Sequence, residues 1–121
     1  MSRRDPAVAL RHMLDHAREV LSMAQGMSEV ELVRNRQLSL AVVHLLEIVG
    51  EAATRVPRED QAKYPEIAWA QVVGLRNRLI HGYDAVDWDV VCQILNQDLP
   101  ALVAALERIV QPSSGKDPES P

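Results

Sequence analysis

Apolar and polar positions alternate along this chain with the spacing of amphipathic helices. In the first part, apolar residues recur at steps of three and four, which places them on one side of a helix. They are Ala7, Leu10, Leu14, Ala17, Leu21 and Ala24. Asp5 before Pro6 predicts an N-cap with proline at the first helical position, and Gly26 predicts the end of this helix.

The second predicted helix carries two apolar stripes instead of one. It begins near Ser28 or Arg34 and continues to Val56, where Pro57 stops it. One stripe is Leu38, Ala41, Leu45, Ile48 and Ala52, and the other is Val42, Leu46, Val49, Ala53 and Val56. A helix that is apolar over so much of its circumference is either central in a bundle or shared with a second subunit, and we expect both.

Two further helices are predicted after a polar connector. The third spans roughly residues 67–81, and Gly82 follows its last turn as the residue that ends it. Asp84 or Asp87 caps a fourth helix over residues 88–97.

A fifth, short helix is predicted from Leu99 or Pro100 to Val110, and no strand pattern competes with these helices. We therefore predict an all-α, up-and-down bundle of four main helices plus a short fifth. The helical domain covers residues 1–111. The last residues, 112–121, are rich in Pro and Ser without apolar periodicity, and we expect a disordered tail there.

Composition narrows the class of protein. Apolar residues make up 47% of the chain, which predicts a packed core, and the absence of Phe favours closely packed aliphatic helices over aromatic-rich sheets. The lone Cys92 excludes an intramolecular disulfide, and no apolar run suggests a membrane span, so we expect a cytoplasmic protein that does not contact membranes. The net charge of −4 argues against a protein coated in positive charge for nucleic-acid binding, but it allows a small basic site.

Residues 76–83 concentrate the side chains that could do chemistry. They read Arg-Asn-Arg-Leu-Ile-His-Gly-Tyr, and they suit phosphate groups. Arginine binds phosphate oxygens through a planar fork of donors, and histidine can both give and take protons near neutral pH. A site of this kind could cleave RNA by attack of the 2′-hydroxyl on the adjacent phosphate. His81 would act as general base or acid, and Arg76 would stabilise the charge on the phosphate oxygens.

A structural interpretation of the same residues stays open. A histidine just before glycine at a helix end interacts well with the last carbonyls, and Arg76 and Arg78 could pair with Asp84, Asp87 or a carboxylate of the second helix. On an ideal helix, Arg76 and His81 are separated by about 140° of rotation. They could meet only if the long arginine reaches round the helix, or across the two-fold axis of a dimer.

Glu51, on the second helix, is a candidate supporting residue. It could pair with Arg76 and fix the guanidinium, although an ordinary surface carboxylate is equally consistent with the sequence. His44, Glu47 and Glu51 lie along one side of that helix. A di-metal site in a bundle needs Glu-x-x-His pairs from two helices, which this chain lacks, so we predict neither metal nor cofactor.

Two segments of the chain resemble HepT-like members of the HEPN superfamily, which are small all-α ribonucleases acting as toxins in toxin–antitoxin pairs. The segments read WAQVVGLRNRLIHGYDAVDWDVV and, in the second helix, AVVHLLEIVGEAATRV. The likeness covers roughly residues 5–110. The family signature is Arg, a polar residue, three further positions, His, one position and Tyr. Here it reads Arg76, Asn77, three residues, His81, Gly82 and Tyr83.

This resemblance implies a role for each residue of the signature. Arg76 and His81 would be catalytic in the composite cleft of a homodimer, and Asn77 would orient them. Tyr83 would accept an adenylyl group from a cognate nucleotidyltransferase, which is the antitoxin. The negative charge that this group adds would repel RNA. We therefore predict a metal-independent endoribonuclease toxin, with tRNA as one target that the resemblance suggests. The alternative is a non-catalytic helical adaptor that presents a substrate to a nucleotidyltransferase.

Overall fold

The computed structural model describes residues 5–81 and 85–115, which form helices and one very short β-hairpin. In chain order the helices are α1 (Pro6–Ala24), α2 (Glu29–Arg34), α3 (Arg36–Thr54), α4 (Arg58–Gln61), α5 (Trp69–Val73), α6 (Leu75–Leu79), α7 (Trp88–Gln93) and α8 (Leu99–Gly115). A π-helical segment, Ile94–Asp98, joins α7 to α8. Strand β1 (Ile80–His81) pairs antiparallel with β2 (Ala85–Val86). The predicted all-α class is confirmed.

The first helix forms as its sequence predicts. The Asp5 carboxylate accepts a hydrogen bond from the Ala7 N–H at 3.0 Å, and Pro6 occupies the first turn, where its missing donor costs nothing. After the helix ends, Gly26 adopts a φ of 87°, a left-handed conformation that glycine takes without strain.

Helix α3 is the central helix of the bundle, and its two stripes differ in burial. The stripe that faces the core is at most 1% exposed; it consists of Val42, Leu46, Val49 and Ala53, and is continued by Val56 two residues after the helix ends. Most of the other stripe is only half-buried: Leu38, Ala41, Leu45 and Ile48. By length and composition alone α3 could cross a membrane, contrary to the expectation from the sequence, but the core helix of a bundle meets the same criteria.

The predicted second helix is two helices. Asn35 ends α2, and its side chain caps α3 by accepting a hydrogen bond from the Leu38 N–H at 3.0 Å. The shorter α2 has its own capping box, formed by Ser28 and Glu31. The predicted start at Ser28 is the N-cap of α2, whereas Arg34 is the last residue of α2 and α3 starts two residues later, at Arg36. The prediction of one continuous helix was wrong because the capping residue Asn35 separates the two.

The predicted third helix is also divided, and it ends earlier than expected. It is interrupted at Gly74 and stops at Leu79, so His81 lies in β1 and not in the last helical turn. The carbonyl of Leu79 accepts a hydrogen bond from the Asp87 N–H at 2.8 Å. Because the Leu79 carbonyl is hydrogen-bonded to Asp87 and Ile80 has an extended backbone, the helix cannot continue. The chain instead forms a hairpin in which β1 pairs with β2. Gly82, the predicted end residue, lies outside the described residues.

The last two predicted helices are continuous. Asp87, one of the two predicted candidates, caps α7, the π-helical segment follows without a break, and α8 extends to Gly115. The first residues of the predicted tail, 112–115, are therefore helical, and residues 116–121 lie outside the described part of the chain.

Candidate active site at the α3–α6 groove and the hairpin

A surface groove of about 440 Å³ separates α3 from α5 and α6. Its described lining residues are His44, Glu47, Ile48, Gly50, Glu51, Thr54, Val73, Arg76 and Asn77. The helices approach closely at Gly50, where an added Cβ would lie 3.0 Å from the Val72 carbonyl oxygen and 3.4 Å from Leu75 Cβ. This contact sets which residues of α3 and α6 lie opposite one another.

Arg76 lies against α3 and is exposed to solvent. Its Nε is 3.6 Å from Glu47 Oε2, and the arginine side chain is 66% exposed. Within residues 5–81 and 85–115, Glu47 is the carboxylate paired with Arg76. A carboxylate at Nε can orient the guanidinium while the two terminal nitrogens remain available to bind phosphate oxygens. The structural interpretation, in which Arg76 pairs with a carboxylate of the second helix, is thus correct about the partner.

Glu51 does not pair with Arg76, so this part of the prediction needs correction. Its Oε2 is 3.4 Å from Arg55 Nη2 on the exposed side of the same helix. Gly50 contacts Val72 and Leu75, so the residue of α3 that faces Arg76 lies about one turn before Glu51. Glu47 occupies that position, and Glu51 remains only as a lining residue of the groove.

His81 projects from the hairpin and is paired with a carboxylate. Its Nε2 is 3.2 Å from Asp87 Oδ2, and the imidazole side chain is 62% exposed. The other oxygen of Asp87 accepts the Val90 N–H at 3.2 Å, which is the N-cap hydrogen bond of α7. The helix-end interpretation of His81 was therefore wrong: the imidazole binds the cap of the next helix.

Arg76 and His81 have separate partners within one protomer. Arg76 pairs with Glu47 of α3, whereas His81 pairs with Asp87 at the start of α7, and His81 is not among the described lining residues of the groove. Asn77 is exposed and lines the groove beside Arg76. Tyr83, the predicted modification site, lies outside the described residues, as does Asp84.

The second arginine of the motif has a structural partner. Arg78 Nη2 lies 2.9 Å from Asp98 Oδ2 in the π-helical segment. Neither Asp98 nor Glu47 was predicted as a partner by name, because each comes close only when helices distant in sequence pack together. Asp87 was predicted as a cap, and its second role at His81 could not be recognised before the hairpin was seen.

The surroundings of Asp87 are acidic. A hydrogen bond to Asp89 raises the pKa of the Glu29 carboxyl, and partial desolvation and the negative charges of Asp89 and Asp87 raise that pKa further. Burial raises the pKa of the neighbouring Cys92 thiol, with a contribution from the charges of Glu29 and Asp89, so the thiol is held in its neutral form. Among the described residues no group of three or more potential ligands is arranged to hold a metal ion.

Comparisons with known proteins agree on one family. The family model described as ribonuclease HepT-like matches residues 13–109. A candidate RNase of Methanocaldococcus jannaschii is 31% identical over 120 residues, which are 99% of each chain. Another from the same organism is 33% identical over 107 residues, 88% of this chain and 98% of the relative. A candidate ribonuclease HepT of Thermococcus cleftensis is 33% identical over 75 residues, 62% of this chain and 68% of the relative. No solved structure matches with significance.

Proposed function

The chain belongs to the HepT-like ribonuclease family, and from this premise we propose that it is a metal-independent endoribonuclease and the toxin of a toxin–antitoxin pair. One observation carries the proposal. Arg76 and Asn77 line an open groove, and the hairpin that follows α6 presents an exposed imidazole, His81. A phosphate-binding cation and a proton-transfer group are the two elements that RNA cleavage without a metal requires.

The proposed reaction is an internal transfer at the RNA phosphate. His81 removes the proton of the 2′-hydroxyl as the O2′–P bond forms, and the P–O5′ bond breaks. The products are a 2′,3′-cyclic phosphate and a free 5′-hydroxyl. Arg76 binds the non-bridging oxygens and stabilises the charge that builds on them, while Asn77 helps to hold the phosphate in the groove.

A homodimer is part of the proposal. Arg76 and His81 have separate partners within a protomer, so a second copy could bring the arginine of one subunit to the histidine of the other. Apolar surface beside the groove supports such a contact. Leu40 of α3 and Val73 of α5 are 52% and 38% exposed, and the half-buried stripe of α3 adds further apolar area.

Control by a partner nucleotidyltransferase is the part of the proposal that the family resemblance implies, with Tyr83, two residues after His81, as the acceptor. An adenylyl group on its hydroxyl adds a phosphate charge and a bulky nucleoside. Beside a site that binds RNA phosphate, that charge would repel the substrate and the bulk would obstruct it. We therefore propose adenylylation of Tyr83 as the neutralising reaction.

The proposed activity is tested by RNA cleavage with purified, unmodified protein in EDTA, using total bacterial tRNA as the first substrate. We expect cleavage with cyclic-phosphate and 5′-hydroxyl ends, and loss of cleavage in His81→Ala and Arg76→Ala. Matched controls are His12→Ala and Arg34→Ala, which remove an exposed histidine and an exposed arginine far from the motif in sequence. Both controls should retain wild-type cleavage.

The outcomes separate the two candidate functions. Cleavage that persists in the double variant of Arg76 and His81 would exclude the proposed site. No cleavage of any RNA, by protein whose Tyr83 is unmodified by mass spectrometry, would favour the non-catalytic adaptor. Cleavage of other RNA but not of tRNA would retain the nuclease and reject the proposed target.

A further inference from the structure

The Asp87 carboxylate connects two structures that meet at the proposed site. Its Oδ1 accepts the Val90 N–H at 3.2 Å and so caps α7, while its Oδ2 lies 3.2 Å from Nε2 of His81. The backbone N–H of Asp87 also donates to the Leu79 carbonyl at 2.8 Å, closing the base of the hairpin. The aspartate is therefore held at its backbone and at one carboxylate oxygen, which leaves the second oxygen fixed toward the imidazole.

We propose that Asp87 is a positioning residue of the ribonuclease, one that sets the orientation and tautomer of His81. This inference rests on the catalytic role proposed for His81. A neutral imidazole carries one N–H donor and one acceptor nitrogen, and an ionised carboxylate only accepts. The negative carboxylate, 3.2 Å from Nε2, therefore favours the tautomer that carries its hydrogen on Nε2 and its lone pair on Nδ1.

The acceptor nitrogen is the one that remains available. Within residues 5–81 and 85–115, the ion pair of His81 with Asp87 involves Nε2 and not Nδ1, and the side chain is mostly exposed. Nδ1 is thus the atom that accepts the proton of the 2′-hydroxyl. As the O2′–P bond forms, the imidazole becomes cationic, and the adjacent Asp87 carboxylate stabilises that charge. The departing O5′ takes up a proton from solvent, and Nδ1 later returns its proton to solvent.

The pairing matters because the imidazole is on the surface. Without a fixed partner, an exposed histidine on a two-residue strand samples several rotamers and both tautomers, and only part of its population is correctly arranged to accept a proton. Asp87 increases the correctly arranged population of the imidazole, because the position of the carboxylate is itself fixed by the helix cap. The same contact also connects the catalytic side chain to the start of α7.

The decisive variant is Asp87→Asn. Asparagine is as good an N-cap as aspartate, and its oxygen must face the Val90 N–H to preserve the cap. The amide NH2 then faces His81 and donates to Nε2, which forces the hydrogen onto Nδ1 and removes the acceptor. We expect kcat to fall roughly 100-fold or more, as when an Asp–His pair is altered in this way elsewhere. KM and the urea midpoint of unfolding should change little.

Nitrogen-15 NMR of His81 reports the tautomer directly, whether or not the protein cleaves RNA. At about pH 9, where histidine is normally neutral, we expect the hydrogen on Nε2 in the wild type and on Nδ1 in Asp87→Asn. The signal is assigned by its absence in His81→Ala. Asp5→Asn is the matched control: it alters the aspartate that caps α1 and should leave both kcat and the His81 spectrum unchanged.

Two results for the Asp87→Asn variant would overturn the proposal: a His81 spectrum in which the hydrogen stays on Nε2, or a kcat within about threefold of wild type. Should the asparagine variant fold poorly, Asp87→Ser keeps a capping oxygen and leaves His81 without its partner, which should give a mixture of tautomers and a lower kcat. If the wild type cleaves no RNA, the proposed function fails, and the NMR spectra still decide whether Asp87 fixes the imidazole.

Discussion

The guanidinium of Arg78 lies 2.9 Å from the carboxylate of Asp98 and connects α6 to the π-helical segment. The two side chains are 28% and 32% exposed, so this ion pair is partly shielded from water. Arg76, two residues earlier, is much more exposed and lies farther from its partner Glu47. The two arginines of one motif therefore differ in use: Arg78 joins helices, and Arg76 faces the groove.

Removal of Arg78 should destabilise the protein more than removal of Arg76. We expect Arg78→Ala to lower the free energy of unfolding by about 1 kcal/mol, because Asp98 loses a charged hydrogen bond in a partly buried place. Arg76→Ala should stay within about 0.5 kcal/mol of wild type. Urea denaturation measures both, and a double-mutant cycle with Asp98→Asn isolates the coupling. Equal destabilisation by the two arginine variants would contradict this assignment.

Glu47 should matter more for cleavage than Glu51 does. The Glu47 carboxylate lies near Nε of Arg76, and Glu47→Gln removes the charge that orients the guanidinium. We expect kcat/KM for RNA to fall by roughly 3- to 10-fold, the size of a weak, exposed ion pair. Glu51→Gln is the matched control, because Glu51 pairs with Arg55 instead. A larger loss in Glu51→Gln than in Glu47→Gln would restore the role first predicted for Glu51.

Features of the fold could be predicted from the sequence where the interacting residues are close along the chain, and could not where they are far apart. Predictions from local signals were correct: Asp5 caps α1, Asp87, one of two predicted candidates, caps α7, and α3 carries the predicted apolar stripes. These features depend on neighbours within a turn or two. The hairpin at His81 was missed because its closing hydrogen bond joins Leu79 to Asp87, eight positions apart in the chain. The apolar residues between positions 75 and 81, such as Leu75 and Leu79, are spaced as in a helix, so this segment taken alone predicts a helix up to His81.

At the candidate site, too, the local features could be predicted from the sequence and the long-range contacts could not. The types of its side chains, an arginine, an amide and a histidine, could be predicted because they stand together in the sequence. Their partners could not, since Glu47 reaches Arg76 only through the packing of α3 on α6. The displaced prediction of Glu51 shows the size of the error: the residue type and the helix were right, and the position was wrong by one turn.

Gly50→Ala should destabilise the protein and disturb the groove. The new methyl group would lie 3.0 Å from the backbone oxygen of Val72, which cannot move without shifting α5. We expect a loss of about 1–3 kcal/mol in the free energy of unfolding, typical of overpacking. Chemical denaturation measures it. Glu51→Ala, at the next and exposed position of α3, should cost less than about 0.5 kcal/mol. An unchanged or raised stability in Gly50→Ala would show that α5 can shift by the few tenths of an ångström that the methyl group needs.

The carboxyl pair of Glu29 and Asp89 predicts a pH dependence of stability. The pKa of Glu29 is raised in the folded protein, first by its hydrogen bond to Asp89, so the folded state holds this proton more tightly than the unfolded state does. The resulting stability is present below the ordinary pKa of glutamate, about 4.3, and is lost as the pH rises through the raised value. Glu29→Gln should weaken this dependence.

Urea midpoints of the wild type and Glu29→Gln between about pH 3 and pH 7 measure the effect. The variant should improve relative to wild type as the pH rises. Glu66→Gln, an exposed carboxyl on the connector before α5, serves as the control and should follow the wild-type curve. Parallel curves for wild type and Glu29→Gln would show that the two carboxyls do not share a proton.

Leu40→Glu should separate the proposed dimer and abolish cleavage together. Leu40 is 52% exposed and lies about two helical turns before Glu47 on the same face of α3, so a charge there would be buried unpaired against a second copy. We expect a monomer by analytical ultracentrifugation at micromolar concentration, with its helical circular dichroism intact. Val8→Glu, which places the same charge on an equally exposed valine of α1, should leave assembly and cleavage unchanged. A Leu40→Glu monomer that still cleaves RNA would show that one protomer brings Arg76 and His81 together, because no partner would then be needed to complete the site.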